Sequence, residues 1–149
     1  MKKILLLLLF IPLISFGQEF EKEKIKSVIK TFFAGFHKKD SLLLTSVLEK
    51  SFTLNSTSFN ENEGVLRNIN GDNFISAVIS RPSSPAWKEK LFSYEIKIDG
   101  PLANVWVDYE FWIDNKLNHC GVNSIHLLKK KSGWKIFNIT DSRRNNCNN

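Results

Sequence analysis

An α+β fold, with helices gathered against a strongly curved antiparallel sheet, follows from three observations. Apolar residues recur at three- and four-residue spacings in three separate stretches of the first eighty residues. From Phe92 onward the period changes to two. The helical stretches precede the long strands and do not alternate with them, which argues against a parallel βαβ sheet.

Residues 20–37 form the first predicted helix, because Ile25, Val28, Ile29, Phe32, Phe33 and Phe36 line one face. Glu19, Glu21 and Glu23 at its start and His37-Lys38-Lys39 at its end suit the helix dipole. Asp40 or Ser41 caps a second short helix, with Leu42, Leu43, Leu44, Val47 and Leu48 as its expected buried side. Short strands are expected at Ser51–Ser58 and Val65–Ile69, around a turn-rich loop from Asn60 to Gly64. Asp72 is the expected cap of a third helix, Asn73–Ser80, which Arg81-Pro82-Ser83-Ser84-Pro85 stops.

The strand region opens near Trp87. Phe92, Tyr94, Ile96 and Ile98 alternate with mostly polar residues up to an Asp99-Gly100 turn. On the next strand Ala103, Val105, Val107, Tyr109 and Phe111 share one face, and Asn104, Trp106, Asp108, Glu110 and Trp112 share the other. After Asp114-Asn115-Lys116 comes a long hairpin, His119 to Leu128 and Trp134 to Arg144.

The chain has 149 residues and a formal charge of +6. Lys2-Lys3, the apolar run Ile4–Ile14 and Ser15-Phe16-Gly17 have the layout of a secretory signal peptide over residues 1–17. The run is shorter than the ~20 residues a membrane span needs. One domain is expected over 18–144, followed by a flexible Asn-rich tail, 145–149. Without residues 1–17 two lysines are lost and the charge falls from +6 to +4. No basic stripe with interleaved aromatics points to nucleic acid. A periplasmic or secreted protein of a Gram-negative bacterium, not membrane-bound once the leader is removed, is the expected setting. Export permits a disulfide between Cys120 and Cys147.

The hairpin register decides several residues at once. A two-residue turn at Ser132-Gly133 pairs Cys120 with Asn145 and puts Asp141 opposite Ser124, on the other face from His119. A three-residue loop, Lys131-Ser132-Gly133, pairs Cys120 with Arg144 and puts Asp141 opposite Asn123, on the face of His119. Both leave Cys147 close enough to bridge if the tail folds back.

The pattern Ala103-x-Val105-x-Val107-x-Tyr109-x-Phe111, then His119-Cys120-Gly121-Val122-Asn123, Gly133-Trp134-Lys135-Ile136 and Asp141-Ser142-Arg143-Arg144, resembles the nuclear transport factor 2-like superfamily. The exported bacterial branch of lumazine-binding or SnoaL-like domains looks most similar. The resemblance spans residues 20–144. It implies a cone in which three N-terminal helices lie on a curved sheet around a cavity, and dimers formed through the sheet. Some relatives isomerise or cyclise steroid- or polyketide-like substrates with a pocket carboxylate and His or Tyr. No acid of this chain matches the isomerase base, so a ligand-binding role without catalysis is the leading expectation.

The residues expected to line a pocket are Tyr109, His119, Asn123 and Asp141, with Trp87 as a lid or a staple for its loop. His119 and Asp141 are the candidate catalytic acid–base pair. Four residues of strand separate them, roughly 13 Å at about 3.3 Å per residue, so a shared pocket is expected before a direct bond. Trp106, Trp112 and His126 occupy the opposite face, the expected dimer interface. An envelope interaction module is the third expectation, beside ligand carrier and isomerase- or cyclase-like enzyme. The dispersed histidines carry no zinc signature, and no motif asks for a cofactor.

Overall fold

The computed structural model describes residues 11–147 of the chain. Its elements are α1 (Ile11–Lys38), α2 (Ser41–Val47), β1 (Leu48–Asn60), β2 (Glu63–Asn70), α3 (Gly71–Ser80), β3 (Trp87–Asp99), β4 (Leu102–Ile113), β5 (Lys116–Lys130) and β6 (Gly133–Ser142). The leader expected over 1–17 falls outside the described residues as far as residue 10. From Ile11 the backbone is helical and continuous with α1. The third helix does not join the first two at the start, because the β1–β2 hairpin stands between α2 and α3.

The six strands form one sheet in the order β2-β1-β6-β5-β4-β3. All neighbours are antiparallel except β1 and β6, which run parallel. The sheet is therefore mixed, not antiparallel throughout. The first strand of the fold lies beside the last, and a connection through β2, α3 and three further strands joins two strands of the same direction.

Local chemistry explains most boundaries. Asp40 caps α2, its carboxylate accepting from the amides of Leu42 and Leu43 at 2.9 and 3.0 Å. Asn70, not Asp72, caps α3, its side-chain oxygen accepting from Asn73 N at 2.9 Å. The helix therefore begins two residues earlier than expected, at Gly71, where a Cβ would stand 3.2 Å from the Phe52 carbonyl oxygen. Asp114 and Asn115 both have positive φ (45° and 63°), the geometry of a two-residue hairpin turn.

The face of α1 carrying Ile25, Ile29, Phe32, Phe33 and Phe36 is buried against the sheet, where it meets Val105, Val107, Ile125, Leu127 and Ile136. At the far end Trp134 is buried and donates its indole N–H to Glu21 at 2.8 Å. Glu21 also receives Lys129 and Lys24 at 2.9 and 3.0 Å. Those hydrogen bonds, Lys129's first, hold its carboxyl down at about 2.

Register shifts interrupt four of the five ladders, the β1–β6 one lying between Leu48 and Thr53. The β5–β6 turn is a two-residue Lys131-Ser132 turn, Lys130 facing Gly133, and Leu127 pairs with Ile136. One residue is then inserted at Phe137, so His126 pairs with Asn138 and Asn123 with Asp141. Neither expected turn is the one present. A tight turn and a bulge together produce the pairing that the three-residue loop would have given. The β3–β4 register slips likewise between Phe92 and Glu95, and the β4–β5 register between Phe111 and Trp112.

A bulge inverts which residues face inward. On β6, Trp134 and Ile136 are buried before the inserted residue, and Ile139 and Asp141 after it. On β3, Trp87, Glu89 and Leu91 share the inner face until Ser93 (φ 50°), after which Tyr94, Ile96 and Ile98 do.

Candidate functional site

A cavity of about 370 Å³ opens between α1, α3 and the concave face of the sheet. Its helix side is aromatic, with Phe32, Phe33 and Phe36 from α1 and Phe74 from α3. Phe74 stacks between Phe32 (5.8 Å) and Phe36 (6.4 Å). Trp87 stands beside this wall, edge-on to Phe111 at 5.6 Å and part-exposed. Polar groups gather on the sheet side: Glu89, Tyr109, His119, Asn123, Asp141 and Arg143.

The five residues expected to contact a ligand, Trp87, Tyr109, His119, Asn123 and Asp141, all line this one cavity. His119 and Asp141 share it without bonding to each other. His119 Nδ1 lies 2.8 Å from Asn118 Oδ1, and the ring stacks on Phe111 at 4.9 Å. Asp141 is only 5% exposed. Its Oδ1 accepts a short hydrogen bond from Ser56 Oγ. Its Oδ2 accepts from Arg143 Nε at 2.7 Å and lies 3.3 Å from the Tyr109 hydroxyl. A His119–Asp141 acid–base dyad is therefore not formed: the carboxylate is already held by a serine hydroxyl and a guanidinium.

Tyr109 has one hydroxyl proton, and its shorter contact is to the Ser142 carbonyl oxygen at 2.9 Å. Burial, then the carboxylates of Asp141 and Glu89, push its ionisation above the ordinary phenol range. Burial pulls His119 below the usual imidazole value, Arg143 adds to the effect, and Asp141 opposes it. The ring is neutral at pH 7. Burial opposes the charge of Arg143, but the Asp141 carboxylate beside it outweighs that and raises the guanidinium.

Glu89 is the residue that reading by alternation missed. Asn123, 3% exposed, donates Nδ2–H to Glu89 Oε1 at 2.7 Å. The backbone N–H of Glu89 donates to His37 Nε2 at 2.9 Å, fixing the start of β3 to the end of α1. Enclosure of the carboxyl raises Glu89 to about 8; the Asn123 hydrogen bond opposes this and the Asp141 charge adds to it. The residue as a whole is half-buried because part of it borders the cavity. A signal for it did exist. Trp87, Glu89 and Leu91 are the apolar-flanked set, and Lys88 and Lys90 fall on the other face. Extending the phase of Phe92 and Tyr94 backwards hides it.

On the convex face, Trp106 is exposed, and Trp112 is half-buried under Lys90, whose ammonium lies 3.7 Å from the ring centroid. His126 lies 3.2 Å from Asn104 and 5.9 Å from the Phe137 ring. Cys120 and Cys147 are joined, with Cα atoms 5.8 Å apart, so the tail through Cys147 is tied to β5. The remainder of the expected flexible tail, 148–149, lies outside the described residues. Among the described residues no three His, Cys, Asp or Glu side chains converge as metal ligands.

No known family profile and no curated protein matches this sequence. Solved structures do. A nuclear transport factor 2-like protein with a cystatin-like fold from Novosphingobium aromaticivorans superposes with a TM-score of 0.71 at 11% identity, over 90% of this chain and 88% of its own. A protein of unknown function from Mycobacterium tuberculosis gives 0.71 at 11% identity, over 86% and 74%. A nuclear transport factor 2-like protein of unknown function from Shewanella baltica gives 0.63 at 19% identity, over 86% and 95%. The fold is nuclear transport factor 2-like. At these identities the likeness extends to the fold alone. What the nuclear transport factor 2-like cone holds here must come from the chemistry of its own wall.

Proposed function

We propose that this protein is exported, in line with the SnoaL-like branch, and binds a small, largely apolar molecule in the cone cavity without converting it. One observation carries the binding reading. About 370 Å³ of space is bounded by aromatic rings on the helix side and by a cluster of buried polar groups on the sheet side. Ligand pockets have that composition, mostly apolar with a few converging polar groups. Export is supported by the leader pattern of residues 1–17 and by a Cys120–Cys147 bridge, which suits an oxidising compartment. The test uses the neutral fluorophore N-phenyl-1-naphthylamine. Its emission rises on binding the wild-type protein, and Val78→Trp, which fills the cavity from α3, abolishes the rise with the far-UV spectrum unchanged. Equal emission from both proteins would mean the dye sits elsewhere and would reject the reading.

An enzymatic reading is favoured by a different observation: Asp141 is ion-paired with Arg143, and the Glu89 carboxyl is held to about 8. Carboxyls whose environments separate their ionisation suit acid and base roles. One neighbour, from Streptomyces avermitilis, is provisionally described as a dehydratase, at 12% identity and a TM-score of 0.62. Mass spectrometry of the copurified molecule before and after incubation with fresh protein separates the readings. A carrier returns it unchanged. An enzyme changes its mass or retention time, and Glu89→Gln stops the change.

A further inference from the structure

Resting on the binding reading above, we infer that the cavity selects an uncharged molecule bearing a carbonyl-type hydrogen-bond acceptor, docked on the Glu89 carboxylic acid, and that it refuses carboxylates and phosphates. The inference comes from an inventory of the charges and donors that border the cavity.

Among the described residues Arg143 is the one permanently charged cation on the cavity wall, and its charge is already paired with Asp141. Its Nε donates to Asp141 at 2.7 Å and its Nη2 to Ser56 Oγ at 3.0 Å. Both Asp141 and Glu89 border the same space. The wall thus offers two carboxyl groups against one guanidinium that is already paired. An anionic ligand would add negative charge with no free counter-ion, which is costly away from water. Glu89 itself has no cation bonded to it; its side-chain partner is the amide of Asn123. An enclosed carboxyl without a counter-charge keeps its proton, and the position of Glu89 at about 8 agrees.

The donors are as restricted as the charges. The Tyr109 proton is held by the Ser142 carbonyl at 2.9 Å. Asn123 Nδ2 is turned to Glu89. Asn118 Oδ1 accepts from His119 Nδ1, so the neutral ring carries its proton there and its Nε2 is an acceptor. Among the described residues, Glu89 Oε2 has no protein partner, so its proton is a donor open to a ligand at the centre of the sheet wall, beside the remaining N–H groups of Arg143, Asn118 and Trp87. A ligand carbonyl satisfies it; a hydrocarbon leaves it unpaired, at a cost comparable to one hydrogen bond.

Three naphthalenes of similar size make the test: 2-acetylnaphthalene (neutral acceptor), 2-ethylnaphthalene (no acceptor) and 2-naphthoate (anion). Each competes with N-phenyl-1-naphthylamine at pH 7.0 and pH 9.5. At pH 7.0 the acetyl compound is expected to bind the wild type about tenfold tighter than the ethyl compound, the equivalent of one hydrogen bond. Naphthoate is expected to bind at least about tenfold more weakly than the acetyl compound.

At pH 9.5 Glu89 has lost its proton and the acetyl preference disappears. The groups facing Glu89 do not supply a competing titration over this range. Tyr109 of β4 ionises well above the usual phenol, and His119 of β5 is already neutral. His37, at the end of α1, is likewise held below its ordinary value by burial and by the charges of Arg81 and Lys88. Arg143 is held above the ordinary guanidinium value by the Asp141 carboxylate beside it.

Glu89→Gln keeps a donor at every pH, so it retains the acetyl preference at both values. Glu89→Leu binds the acetyl and ethyl compounds alike. Far-UV spectra at both pH values establish that each protein is folded. Naphthoate binding as tightly as the acetyl compound, or an acetyl preference that survives Glu89→Leu, would overturn the inference. If the fluorophore and ethylnaphthalene bind but no acetyl preference exists, this inference alone fails. If neither the fluorophore nor any naphthalene binds, the binding reading fails and takes this one with it.

Discussion

A Cβ placed on Gly121 would stand 1.8 Å from the Ser142 carbonyl oxygen and 3.0 Å from the Tyr109 ring. Gly121 is therefore where the end of β6 closes over β5, and that approach lets the Ser142 carbonyl receive the Tyr109 hydroxyl at 2.9 Å. Gly121→Ala must push Ser142 away, which breaks the bond and shifts the adjacent Asp141. Overpacking of this kind costs about 1–3 kcal/mol. Urea denaturation is expected to show that loss, with weaker binding of N-phenyl-1-naphthylamine, whereas Gly64→Ala, with nothing within 4 Å, stays near wild type in stability. Glu89 gives the second prediction at this scale. Its folded value of about 8 exceeds the ordinary 4.5, so between those pH values the native state holds a proton that the unfolded chain has released. Stability therefore falls as pH rises from about 4.5 to about 8 and then levels off. Glu89→Gln removes that dependence. Its stability advantage over the wild type, measured by urea denaturation, is expected to be small near pH 4.5 and to widen steadily towards pH 8, reaching on the order of a few kcal/mol. A constant difference across that range would show that Glu89 does not titrate as the cavity geometry requires.

Among the elements, the helices and β4 were legible because each keeps one period along its length. Phe32, Phe33 and Phe36 announced the inner face of α1, and Val105, Val107, Tyr109 and Phe111 that of β4. The bulges were not legible, because an inserted residue changes the phase without changing the local composition. Phe92 and Tyr94 look alike in the sequence, yet one lies outside and the other inside. That single slip concealed Glu89. The slip at Phe137 decides the face of Asp141, a role that loop length alone cannot perform with the two-residue turn observed. The parallel β1–β6 pairing escaped for another reason: nothing local records which distant strand closes a sheet. The disulfide ties the segment after β6 to β5, where Cys120 also pairs with Arg144 by backbone hydrogen bonds of 3.0 and 2.8 Å. It spans 27 residues of sequence, and a bridge closing a loop of that size contributes about 3.5 kcal/mol on the chain-entropy account. Reduction is expected to lower the Tm of the wild type to that of the Cys120→Ser/Cys147→Ser variant and to leave the variant unchanged. If reductant affects both equally, the bridge is not what holds the tail.

The whole molecule has two sheet faces of different character. The concave face is covered by α1 and α3. The convex face leaves Trp106 51% and Phe92 43% exposed. These side chains belong to adjacent strands, near the slip that separates the Phe92–Asp108 pair from the Glu95–Trp106 pair. Trp112 is not an equal part of the patch, because Lys90 covers its ring and Glu110 accepts its N–H at 2.9 Å. Aromatic side chains at the centre of a polar surface are the usual anchors of an interface. The rim suits one too: Asn104, Ser124 and His126 form a hydrogen-bonded polar strip beside Trp106. We propose a homodimer through the convex faces, centred on Trp106 with Trp112 peripheral. Trp106→Glu is expected to turn a dimer into a monomer in sedimentation velocity at micromolar concentration, and Trp112→Phe to leave the dimer intact. The cavity lies on the other side of the sheet, so binding of N-phenyl-1-naphthylamine should survive Trp106→Glu with its affinity unchanged within about twofold, since residues of separate sites act independently. A wild type that sediments as a monomer would reject the dimer and leave the cavity chemistry untouched. Loss of dye binding together with the dimer would show instead that the cone holds its shape only when its outer face is covered.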